Sequence, residues 1–186
     1  MGITPNGEKG EIIMKTKNMI LTALFLAIGF ILHSSVPGIF GMKFDLFLAF
    51  MFLSIVIYPT LQNALLAGTV GGMITALTTT FPGGQLPNFI DKIVTAIFVY
   101  LLIKALAPVS NYKIKMALIG LIGTAVSGTV FLGSALFIVG LPAPFMVLFT
   151  TIVIPTSLTN MVITLIVYKA CMVATKGKLV FSYIYQ

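Results

Sequence analysis

Six apolar runs, parted by short polar or Gly- and Pro-bearing stretches, make up most of this chain. They cover residues 19–32, 44–57, 61–80, 86–106, 114–139 and 145–168, and Pro59 and Pro108 punctuate the second and fourth. The runs are apolar all round and show no alternation with period two. That favours helices that face lipid or a protein interior over the strands of a membrane barrel. A helix needs about 20 residues to cross a bilayer. The first two runs fall short of this, so they are expected to extend into flanks such as Asn18 and residues 34–36, or to sit tilted in a bundle. The pattern predicts an all-α integral membrane protein with six transmembrane helices. Its one membrane domain is expected over residues 14–175, after a flexible leader at 1–13 and before a cytoplasmic tail at 176–186.

Composition agrees. Of the 186 residues 59% are hydrophobic and 8% charged, against about 45–50% and about 25% in an ordinary soluble domain. All eleven basic residues are lysines, and the net charge is +7. They lie between apolar runs instead of forming one basic patch, so a nucleic-acid partner is not expected. With the N-terminus inside, Lys9, Lys15, Lys17, Lys104, Lys113, Lys115, Lys169, Lys176 and Lys178 fall in cytoplasmic stretches, and only Lys43 and Lys92 fall outside. Nine against two is a strong positive-inside bias, and six spans place both ends in the cytoplasm. Lys15 and Lys17 ahead of the first run imitate a signal peptide. No small-residue cleavage site follows, and the run reads as a retained helix.

The chemistry gathers on the outer side. Both acids beyond the leader, Asp45 and Asp91, lie there, with Lys43 two residues from the first and Lys92 next to the second. The plain reading of either pair is a helix end at the interface, its lysine reaching to water. Two acid–base pairs on the Gly- and Pro-rich side favour a site, because ionisable groups near the membrane core are costly and usually face the bundle interior. The stretch TTTFPGGQLPNFIDK at 78–92 is the most informative. Gly83 and Gly84 let backbone approach a ligand, and the helix start beyond them offers free N–H groups to a carboxylate. Gln85, Asn88, Asp91 and Lys92 add polar groups, and Phe81 an apolar face. That set suits a zwitterion with an apolar side chain. Phe44 and Phe145 are candidate walls for its ring, and Asn160 is a candidate contact in mid-helix, though helix packing is its plainer role. The lone His33 reads first as a helix-end residue. Ala23 and Ala27, one turn apart, and Gly68 with Gly72 read as places where helices approach closely.

No nucleotide-binding, metalloprotease or nucleophile-elbow motif is present, so no enzyme, cofactor or metal is expected. The single Cys171 excludes an internal disulfide.

The stretch from Met14 to about Tyr168 resembles the bacterial tryptophan transporter family, grouped with the substrate-binding S components of energy-coupling factor transporters. The likeness rests on GMKFD at 41–45, the 78–92 stretch, SGTVFL at 127–132, GLP at 140–142 and Pro155-Thr156. It implies six helices in the bacterial cell membrane, with L-tryptophan held near the outer face by the loops after helices one, three and five. It also implies partners: a transmembrane coupling subunit meeting Ala23 and Ala27, and two cytoplasmic ATPases. A solitary ion-coupled carrier for an aromatic amino acid and a vitamin-specific S component are the alternatives.

Overall fold

The apolar runs fold as helices. A computed structural model of the chain describes residues 5–35, 38–39, 42–43 and 45–176, with side chains described at 16, 18–35 and 45–176. Residues 1–4 of the expected leader and 177–186 of the expected tail lie outside the described residues. In chain order the elements are α1 (Pro5–Ser35), strands β1 (Gly38–Ile39) and β2 (Met42–Lys43), α2 (Phe47–Ile57), α3 (Leu61–Thr78), α4 (Gln85–Ala105), α5 (Tyr112–Ile138), α6 (Phe145–Leu148) and α7 (Ile154–Ala174). Residues Phe149–Val153 form a π-helical turn between α6 and α7, so Phe145–Ala174 runs as one helical rod. Pro155, which lacks an N–H, sits in the first turn of α7, directly after the widened turn.

Among the described residues, four stretches are long and apolar enough to cross a bilayer: Asn18–Ser35, Gln85–Ala105, Tyr112–Ile138 and Phe145–Ala174. The 18 residues of α3 include three glycines and several threonines and are less apolar. The second run does not lengthen into its flanks as the first does. Its α2 keeps 11 residues, roughly 16 Å of helix, about half the hydrocarbon thickness. All eleven are buried, because α1, α3, α4, α5 and α7 all pack around it. Phe47 lies against Gly29 and Gly71, and Phe52 against Gly123. Absent side chains on three helices make room for rings on the fourth.

The polarity of the bundle is inverted relative to a water-soluble protein. Leu77 and Phe137 are each 87% exposed, and Ile20, Leu24, Leu101 and Ile166 also face outward. Asn63, Asp91, Lys92, Thr124 and Asn160 are buried. In a lipid bilayer, that arrangement turns these costly groups away from hydrocarbon.

Polar side chains also fix the helix ends. The Thr60 hydroxyl accepts from Asn63 N–H at 3.2 Å and caps α3. Asn63 then ties three helices near the N-terminal end: its Nδ2 donates to the carbonyls of Ser54 and Tyr58, and its Oδ1 accepts from Thr22 at 2.8 Å. At the other end, β1 and β2 pair antiparallel in the loop after α1, with Gly38 opposite Lys43 and Ile39 opposite Met42. Strands of two residues are too short to leave a periodic signal in the sequence.

Candidate functional site

The helix α4 is carried close to α3 by small residues. A Cβ on Gly68 would meet Ala96 Cβ at 2.8 Å and the Lys92 carbonyl at 2.9 Å, and one on Gly72 would meet Phe89. The stripe read as a packing surface is therefore the α3–α4 seam. Between these helices the chain turns at Gly83, whose φ of 69° suits a residue without Cβ. Val139 lies over it and leaves no room for one. The Thr79 hydroxyl accepts from Phe81 N–H, Gly84 N–H donates to the Phe81 carbonyl, and Asn88 Nδ2 donates to the Gly84 carbonyl at 2.8 Å.

Asn88, Asp91, Lys92 and Thr95 follow at steps of three and four along α4, so they share one face. That face is buried. Asp91 and Lys92 are each 1% exposed, which rules out the interfacial role for this pair. Lys92 Nζ joins both acids: it lies 2.7 Å from Asp45 Oδ2 and also pairs with Asp91 Oδ2. Asp91 is held further by Thr95, which donates to Oδ1 at 2.9 Å, and by Ser127 of α5, which donates to Oδ2 at 2.9 Å. On its other side Asp45 faces His33 at the end of α1, with Nδ1 3.2 Å from Oδ1. The backbone carbonyl of Asp45 accepts from Asn160 Nδ2 at 2.8 Å, and the same amide donates to Thr124 Oγ1 at 3.1 Å.

These groups line a cavity with about 570 Å³ of empty space, its mouth included. His33, Asp45, Asn88, Asp91 and Lys92 form its polar wall. Phe81 and Phe131 form an apolar wall, with ring centroids 5.5 Å apart and planes at 83°, an edge-to-face contact. Thr124, Ser127 and Gly128 complete the side on α5. Ile152 and Val153, from the π-helical turn, and Thr156 close the side on the last rod. Turns of this kind recur at functional sites.

Of the residues singled out from the sequence, the structure brings Asp45, Phe81, Asn88, Asp91 and Lys92 together around the cavity. Gly83 and Gly84 shape the turn beside it, and Gln85 is exposed. Phe145 stacks on Phe149 at 6.1 Å and is not in the cavity wall. Asn160 lies beneath the wall and braces Asp45. Phe44 lies outside the described residues, and of Lys43 only the backbone is described. His33, Ser127 and Phe131 also line the cavity, and nothing in their local sequence marks them as site residues. Ser127 and Phe131 do fall in the 127–132 stretch that carries the family likeness, and with Thr124 and Gly128 they recur at helical spacing along α5.

A helical bundle with an apolar exterior, whose ionisable groups turn into an internal cavity, has the build of a membrane transport protein. This one is a multi-pass bacterial membrane protein. The chain belongs to the family described as tryptophan transporter TrpP, which matches residues 15–176. It is 47% identical over 156 residues to a Bacillus subtilis (strain 168) protein described as "Probable tryptophan transport protein", covering 83% of this chain and 90% of the relative. Proteins of the same description in Clostridium acetobutylicum and Clostridium perfringens are each 44% identical, over 158 and 165 residues. These alignments cover 84% and 83% of this chain, and 92% and 90% of the relatives. No solved structure matches the chain.

Proposed function

We propose that this chain binds L-tryptophan at the outer face of the cell membrane and carries it inward as the substrate-binding subunit of an energy-coupling factor transporter. The observation that carries the reading is the buried Asp45–Lys92–Asp91 cluster facing the Phe81–Phe131 wall across one cavity. Opposite charges suit the two ends of an amino acid, and the rings suit an indole. The family and the names of its relatives supply the identity of the side chain.

Both chain ends are taken as cytoplasmic, which puts the cavity at the outer end of the bundle. A coupling subunit and two ATPases would energise transport, and the exposed Ala23 and Ala27 on α1 are the proposed docking face. At these two positions the side chain is only a methyl, which lets a second helix approach closely.

The test is mass spectrometry of the small molecule released from the purified protein, followed by uptake assays in cells. Release of L-tryptophan, and uptake that stops when the ATPases are removed, is the expected result. Release of a vitamin would point to another S component. Uptake that survives loss of the ATPases but stops with an ionophore would show an ion-coupled carrier instead.

A further inference from the structure

The two carboxylates of the cavity are not equivalent. Asp91 is satisfied on both oxygens: Oδ1 accepts from Thr95, and Oδ2 accepts from Ser127 and Lys92. Asp45 is engaged on one oxygen only, Oδ2, by Lys92. Its Oδ1 is buried and makes no hydrogen bond, and the same holds for His33 Nδ1, 3.2 Å away. The two atoms are within contact distance but lack the alignment that a hydrogen bond needs. Buried polar atoms without partners are rare, and each calls for an explanation. Here two of them stand side by side on the wall of a cavity, on side chains that are 7% and 17% exposed.

The charge balance points the same way. Two carboxylates face one lysine, so with His33 neutral the cluster carries one surplus negative charge in apolar surroundings. Such a surplus is costly unless a cation joins it. A neutral imidazole with its proton on Nε2 presents Nδ1 as an acceptor, and a primary ammonium has three N–H donors to share.

We infer that Asp45 Oδ1 and His33 Nδ1 together form the subsite for the ligand's α-ammonium, and that Asp91 instead positions Lys92. The inference rests on the proposed binding of an amino acid and assigns roles within that site. Lys92 spends two of its three N–H groups on the acids, and the third is left for the ligand carboxylate. The site therefore selects an α-amino acid over an amine or an acid of the same shape.

The experiment is calorimetric titration of the purified full chain with L-tryptophan and with indole-3-propionate, which lacks only the amine. Wild type is expected to prefer tryptophan by about 100-fold or more, as sites built around a substrate N–H do. Asp45→Asn should weaken tryptophan alone and shrink that preference to a few-fold. Asp91→Asn should keep the preference, whatever it does to affinity. Each variant leaves Lys92 facing one carboxylate, so neither strands a buried lysine. His33→Phe provides a second reading should Asp45→Asn not fold, and it should lower the preference in the same way. A preference retained in Asp45→Asn and His33→Phe, or lost only in Asp91→Asn, would overturn the assignment. Wild type that binds no tryptophan would overturn the proposed function itself.

Discussion

At the scale of single residues, Lys92 holds the cavity together. It is the cation between two carboxylates brought in from different parts of the chain, and it is buried. Replacing it with Met keeps much of the side-chain length but leaves Asp45 and Asp91 facing each other without a counter-charge. Removing one partner from a buried ionic group typically costs about 3–5 kcal/mol. Lys92→Met is therefore expected to unfold at a clearly lower temperature in detergent, and the double change Lys92→Met with Asp91→Asn should recover part of the loss. Thermal unfolding followed by size-exclusion chromatography checks both. The sequence drew attention to Asp91 and Lys92, because an acid and a lysine beside an apolar run are conspicuous. Nearness along the chain couples these two, and the fold keeps that pair. It also joins Lys92 to Asp45, 47 positions earlier. Local spacing carries no record of such a contact. His33 was hidden for the same reason: its partner Asp45 comes from beyond the β1–β2 loop.

Among the elements, the seam between α3 and α4 sets where the charges stand. Gly68 meets the backbone of α4 at Lys92 and Ile93, within 3.1 Å of where its Cβ would be. A side chain there has backbone for a neighbour, and backbone does not yield by changing rotamer. Gly68→Val should push α4 outward and destabilise the protein by about 1–3 kcal/mol. It should also weaken ligand binding, because Asp91 and Lys92 ride on the displaced helix; unfolding and calorimetric measurements on one preparation read both effects. Helix existence was legible throughout, since long apolar runs without alternation leave few other structures in a membrane. The role of α2 was not. A run apolar on every side reads alike whether lipid or protein surrounds it. Only the glycines that receive Phe47 and Phe52, on α1, α3 and α5, decide for protein. The polar stripe on α5 was legible in principle, as Thr124, Ser127, Gly128 and Phe131 recur at helical spacing. Threonine and serine are ordinary in membrane helices, however, where they bond their own backbone, as Thr129 and Ser134 do.

Over the whole molecule, the proposed binding end and the proposed docking side lie apart. Lys92 is buried, and so is Lys115; leaving both out, the lysine asymmetry becomes eight against one, which supports the proposed orientation. The face of α1 around Ala23 and Ala27 is open, and the cavity lies at that helix's far end, near His33. Ala23→Leu should therefore leave calorimetric binding of L-tryptophan unchanged while blocking uptake in cells. Loss of binding in a folded protein would mean that the face is needed within the chain itself.

The decisive measurement asks whether the ligand occupies the cavity at all. Thr156 lines it from α7, is buried, and uses its hydroxyl only to bond the Ile152 carbonyl of its own helical rod at 2.6 Å. Equilibrium dialysis with radiolabelled L-tryptophan should show no binding to Thr156→Phe, whose ring fills the space, and normal binding to Leu77→Phe on the exposed surface. Folded Thr156→Phe protein that still binds tryptophan as wild type does would place the ligand elsewhere.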